Sequence, residues 1–323
     1  RRNSRVNNFE LAIDSIVTGE IATLEKLLRE NPDLIRAHST RRHRAALLHY
    51  VSANGLEGYR QKTPNNIVQI AELLLQSGAD PNASADIYGG STTLELVATS
   101  LHPERAGVQA ALLQLLLDHK AQLTSGIVNA CLANGRIQAA EFLASRGAAL
   151  DIEAAAGLGR LEVVESFFDA RGILKPSATN AQMERGFIWA CEYGRNAVVE
   201  FLLQRGVSLE TRAGTGQTAL HWAVIGAQVD TISLLLDRAA QLEAKNAYQA
   251  TALGQALWSA IHGDGKTDYL PVIGTLLKAG AQLEAGTRSW IIRQNAASSS
   301  LKQRIIDALE RHGLKGRVEP RLE

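Results

Sequence analysis

Residues 260–267, Ala260-Ile-His-Gly-Asp-Gly265-Lys266-Thr267, fit a relaxed phosphate-loop pattern with Ala at the first Gly position. Such a loop holds phosphate when a buried strand leads into it and the following helix aims its N-terminus at the anion. Thr251–Ala260 carries a helical pattern instead of a strand, so the preferred reading is an extended turn between two helices. There is no His-Glu-x-x-His, Cys-x-x-Cys or Gly-x-Ser-x-Gly, and no Gly-x-Gly-x-x-Gly after a strand. Glu192, Asp264 and Asp268 stand apart, and nothing in their spacing makes them converge. The expectation is a non-enzyme with no catalytic residue, cofactor or metal. A basic run, Arg36, His38, Arg41, Arg42, His43 and Arg44, offers a cationic surface to nucleic acid or an acidic partner. No aromatic residues interleave with it, so a solvated turn tip is preferred and nucleic acid is disfavoured.

The elements that must position these groups repeat along the chain. Hydrophobic residues run evenly from Phe9 to Leu314 without a Pro/Gly/Ser-rich linker, which over 323 residues favours an array over two domains. With 34 basic and 33 acidic residues, no global field draws the chain to nucleic acid or membrane. No apolar run reaches the ~18 residues of a membrane span, and no signal-peptide pattern is present. Two cysteines suit a reducing, cytoplasmic setting. The chain opens on Arg1 without Met, which leaves an upstream targeting segment as an open alternative.

One marker recurs: an apolar run, then Gly-Ala or a relic of it. It ends at Gly78, Lys120, Gly147, Gly172, Gly206, Ala239 and Gly280, with spacings of 42, 27, 25, 34, 33 and 41 residues. Gly suits the position because the residue just past a helix end commonly takes a left-handed conformation. Lys120 and Ala239 depart from it, so those two ends are expected to be strained or differently shaped. A second marker opens each unit's first helix: Thr218-Ala-Leu-His221, Thr92-Thr-Leu-Glu95, Thr251-Ala-Leu-Gly254 and Ala46-Leu-Leu-His49. The threonine hydroxyl is suited to cap the helix.

These markers, most completely Gly214-Thr-Gly-Gln-Thr218-Ala-Leu-His221-Trp-Ala followed by Ile232-Ser-Leu-Leu-Leu-Asp237, resemble the ankyrin repeat across about residues 8–313. The irregular copies look like those of bacterial ankyrin proteins. The resemblance implies an all-α solenoid of stacked antiparallel helix pairs with β-hairpin fingers, and a role in binding other proteins. Its expected layout is a capping helix pair over 1–37, about seven units over 38–286, and a capping helix pair with a tail over 287–323. The units near 124–180 are short, lack room for a full finger, and are expected to be the least stable. His49 and His221 are expected to hydrogen-bond between neighbouring repeats, and Cys131 and Cys191, at small buried positions, to be inert core thiols.

Partner-binding candidates lie where the pattern breaks. Units lengthened between their helices carry insertions at 54–66, 99–107 and 261–270, expected along one rim, with Tyr59, Arg60, His102, Arg105 and Tyr269 among their residues. Tyr50, Trp189 and Trp222 share one register position as an aromatic column, and Glu192 and Trp258 fall three residues later in their own units. The leading function is a non-enzymatic scaffold binding another protein through its concave face, finger tips and lengthened loops. The alternative is a small-molecule or peptide sensor with a pocket under the three insertions.

Overall fold

The computed structural model describes residues 2–312. The expected tail beyond His312 lies outside these. Contacts divide the chain into two compact units, residues 1–150 and 151–323.

The first unit opens with α1 (Arg2–Thr18) and α2 (Ile21–Glu30), then α3 (Ile67–Gln76), and a finger of β1 (Ser84–Ala85) and β2 (Ser91–Thr92). It continues through α4 (Thr93–Thr99), α5 (Leu101–Arg105), α6 (Gln109–Asp118), α7 (Ile127–Ala133) and α8 (Ile137–Ser145). The 99–107 insertion is thus largely the short helix α5. Apolar spacing explains the helices: in α3, Ile67, Ile70, Ala71, Leu74 and Leu75 form one buried stripe. Each fully buried Ile or Leu side chain there contributes about 1.5–3 kcal/mol. At 46–52 Ala46 has no hydroxyl to cap with, and Leu47–Ser52 forms a 3-10 turn instead of an α-helix.

The second unit contains α9 (Ile152–Gly157), α10 (Leu161–Ser166), α11 (Asn180–Glu192) and α12 (Asn196–Gln204). A second finger follows, β3 (Arg212–Ala213) and β4 (Gln217–Thr218), antiparallel with Arg212 opposite Thr218 and Ala213 opposite Gln217. Then come α13 (Ala219–Ile225), α14 (Val229–Asp237), α15 (Ala252–His262), α16 (Leu270–Lys278), α17 (Thr287–Arg293) and α18 (Ser299–His312). Thr92, Thr218 and Thr251 cap α4, α13 and α15, accepting from the N–H groups of Glu95, His221 and Gly254. Where the finger is absent, the next first helix is longer: α11 has 13 residues against 7 in α13 and starts from a Thr179–Gln182 capping box. It lies on α9, all six of whose residues are buried, and a Cβ added at Gly186 would stand 3.0 Å from that of Ala156.

The helix-end marker holds with one correction. Lys120 and Ala239 are left-handed, with φ of 70° and 65°, so these ends keep the glycine geometry despite their Cβ atoms. Gly172 is different: α10 ends at Ser166, and Gly172 lies in a later turn, its N–H donating to the Asp169 carbonyl. The short unit's spacing therefore mixed two kinds of turn. Asn82, within an Asn-x-Ser sequon, has its amide committed to the next repeat, donating to the Lys120 carbonyl at 3.0 Å and accepting from the Gln122 N–H at 2.8 Å.

Candidate functional site

The first finger, bridged by His38 and Ala46, corrects the reading of the basic run. Arg36, His38, Arg42 and Arg44 are exposed, while Arg41 and His43 turn inward. Arg41 forms a two-pronged pair with Glu10 on α1, at 2.5 and 2.8 Å, and reaches Glu57 at 2.6 Å. His43 stands 3.5 Å from the same Glu57 oxygen. Arg60, 4% exposed, donates to Asp14 at 3.0 and 2.7 Å and to Glu10 at 2.7 Å. Three carboxylates and two arginines thus tie the finger and the 54–66 insertion to α1. The Arg41 guanidinium, with Arg60 beside it, holds the Glu10 carboxyl below its ordinary range.

Arg60 was expected to face a partner. Its burial in this ion-paired cluster removes it from any contact surface. Tyr50 is likewise corrected: it is 0% exposed, its ring meets His43 edge-on at 6.1 Å, and burial pushes its phenol up. Tyr59 is 64% exposed, with the Arg60 guanidinium 5.2 Å from its ring centre. His102 and Arg105 are exposed on α5. A concavity of ≈ 400 Å³ touches Asn54 and Thr99 at the roots of two insertions. Its amide and hydroxyls largely pair with one another: Asn54 donates to Thr99 Oγ1 at 3.0 Å and accepts from the Tyr88 hydroxyl at 3.1 Å.

In the second unit Trp189 and Trp222 are half-buried. Trp222 lies against its own finger, where a Cβ at Gly214 would be 3.2 Å from the indole. Glu192, also half-buried, has its carboxyl pushed up to about 7 by desolvation. Its carbonyl packs so closely on Gly226 that any Cβ there would collide. Tyr269 is half-buried and donates to the Ile225 carbonyl at 2.7 Å, tying the 261–270 insertion to α13. The phosphate-loop look-alike is a turn after α15, with Asp264 accepting from the Lys266 N–H at 2.9 Å.

Trp258 is the exposed member of the set, at 53%, and is stacked 5.1 Å from His262. It borders a groove of ≈ 1090 Å³ that lies wholly in this unit. Its walls include Tyr248, Trp290, Gln249, Gln255, Gln282 and Arg293, none of which was singled out from sequence. Trp290 follows Trp258 by 32 residues, one repeat length, a signal the sequence did carry. No lining residue comes from 54–66, 99–107 or 261–270.

His49 and His221 bridge repeats as expected, their Nε2 atoms 3.0 Å from the Ala83 and Ala250 carbonyls. Burial lowers both imidazole pKa values, so each is neutral near pH 7. The cysteines are free and buried, which pushes the Cys131 thiol up to about 12 and Cys191 also upward. Among the described residues no three His, Cys, Asp or Glu gather as a metal site, and no helix is long and apolar enough to cross a membrane.

A family model described as ankyrin repeats (3 copies) matches two overlapping stretches, residues 152–246 and 187–286. That stretch is an ankyrin-repeat array, and the chain's fold class is the ankyrin-repeat solenoid, all-α with short fingers. The similar solved structures include the human ASB11 ankyrin repeat domain, at 21% identity and a TM-score of 0.42, over 84% of this chain and 99% of that one. Another is the ankyrin repeat domain of Bcl-3, described as a unique member of the IkappaB protein family, at 18% identity and a TM-score of 0.36, over 76% and 92%. A search of curated proteins returned no match. Ankyrin repeats are generally protein–protein interaction scaffolds.

Proposed function

We propose that the chain is a non-enzymatic scaffold that binds another protein through residues 151–312, with Trp258 and the adjoining groove at the centre of the contact. The observation that carries this is the exposure of Trp258 beside ≈ 1090 Å³ of open, partly aromatic groove. A large aromatic side chain that folding leaves half in water is a typical interface anchor. Trp189, Trp222 and Glu192 line the flank of this surface in our reading, and Tyr59, His102 and Arg105 offer a separate exposed set in the first unit. The sensor alternative called for a pocket under the three insertions; the large groove draws no residue from them and the ≈ 400 Å³ concavity takes only Asn54 and Thr99, which favours the scaffold.

The test is affinity capture from the native organism with the unaltered chain and with Trp258→Ala, after checking that both melt at the same temperature. The scaffold reading expects a co-purifying protein that the variant loses. Equal capture by both would refute the assigned surface.

A further inference from the structure

We propose that the groove beside Trp258 takes an extended peptide segment of about six residues that carries one large apolar side chain and one acidic group. This rests on the scaffold reading above and names the partner's chemistry. The groove draws on three successive repeats, touching Ile225 of α13, Trp258 of α15 and Trp290 of α17. Neighbouring helices pack about 8–10 Å apart, so two spacings span roughly 20 Å. Extended chain rises about 3.3 Å per residue, which sets the length at about six residues. A volume of ≈ 1090 Å³ lies just above the usual range for small-molecule pockets.

The side chains fit that occupant. His262, outside the groove lining, stacks on Trp258 at 5.1 Å and lies 6.5 Å from Trp290, so it braces the two indoles that line the groove. An apolar side chain inserted there meets surfaces that lose little freedom on binding. The Gln249 and Gln282 side chains offer amide donors and acceptors suited to a peptide main chain. The charges select the ligand's sign. Glu284 is offset by Lys245 at 3.0 Å. Arg293, one turn from Trp290 on α17, is exposed and has no ion pair among the described residues. It leaves one end of a groove with otherwise balanced charge open to a carboxylate, as a guanidinium fork favours.

A phage-displayed library of random dodecapeptides is panned against the full chain, and the enriched peptides are synthesised, labelled and titrated by fluorescence anisotropy. The expected winners carry an aromatic or large aliphatic residue and an acidic residue within six positions. Trp258→Ala and Arg293→Glu, each with an unchanged melting temperature, are expected to weaken them about tenfold or more. Panning against Arg293→Glu is expected to enrich basic residues at the acidic position. Winners without an acidic residue, or winners bound equally by both variants, would overturn the peptide assignment while leaving Trp258-dependent protein capture intact. A Trp258-dependent dimer in sedimentation would give the groove to a second copy and overturn it as well.

Discussion

The first finger, 38–46, and the finger at 212–218 do the same mechanical job with different interactions. Each passes one backbone hydrogen bond to the next repeat, from Asp86 N–H to the His43 carbonyl at 2.7 Å and from Ala247 N–H to the Thr215 carbonyl at 2.9 Å. The later finger is held by elements of its own motif: a two-residue ladder, the Thr218 cap, and His221 reaching Ala250. The first finger has one bridge and no capping threonine, and ion pairs from α1 and the 54–66 insertion surround it. A repeat inside an array can be held by a local pattern. The outermost repeat is held by long-range charges, which no repeat pattern describes.

The largest effect is expected where those charges are broken. Arg60→Ala leaves Glu10 and Glu57 to Arg41 alone and removes the partner of Asp14, and should cost about 2–3 kcal/mol in chemical denaturation. A loss below about 1 kcal/mol would reduce the clamp to an ordinary surface pair. The cluster also sets a pH signature. Since the folded pKa of Glu10 is depressed, its contribution is present above the unfolded value near 4.3 and disappears as pH falls through the lower folded value.

His221→Ala removes the inter-repeat bond and leaves the Ala250 carbonyl without that partner, for an expected loss of about 2 kcal/mol at pH 7.5. Its pH window lies higher. The folded imidazole pKa is below the unfolded value near 6.5, so the unfolded chain binds more protons and stability falls as pH drops below about 6.5. The stability gap between wild type and variant should narrow from pH 8 to 5. A gap that stays constant over this range would contradict the burial argument, because the comparison cancels the other titrating groups.

Glu192 reverses the sign. Its folded pKa is raised to about 7, so its contribution is full below about pH 4.3 and is lost as pH rises through 7. Glu192→Gln should therefore stabilise the protein at pH 8 by about 1 kcal/mol and do little at pH 4. Equal stability of variant and parent at pH 8 would mean that water reaches the carboxylate freely. The smallest effect concerns the strained helix ends: Lys120→Gly and Ala239→Gly should each stabilise by about 0.5 kcal/mol, because glycine relieves the left-handed strain but adds unfolded-state entropy. Destabilisation by either would show that its Cβ packs usefully.

Much of the fold was legible because its cues are local. The threonines at 92, 218 and 251 cap helices where a cap was read, and the Gly-type ends at 78, 120, 147, 206, 239 and 280 are all left-handed. The reading failed at Gly172, where one glycine suits both a helix end and a tight turn. The candidate site was legible only in part. Trp258 stood out by register, but exposure separates it from Tyr50, and exposure depends on what packs from elsewhere. Arg60 looked like a loop residue offered to solvent because its partners, Glu10 and Asp14, lie 50 and 46 residues away.

By itself, then, the sequence determined the repeat, its register and the places where the pattern breaks, since capping, helix periodicity and left-handed turns act within a few residues. Tertiary structure alone decided which of those places face outward. It placed Arg41 and Arg60 in a charged cluster, set Trp222 against its own finger, and left Trp258, Trp290 and Arg293 around an open groove. Burial and ion pairing depend on residues brought close by stacking, and their distance along the chain conveys nothing about that proximity.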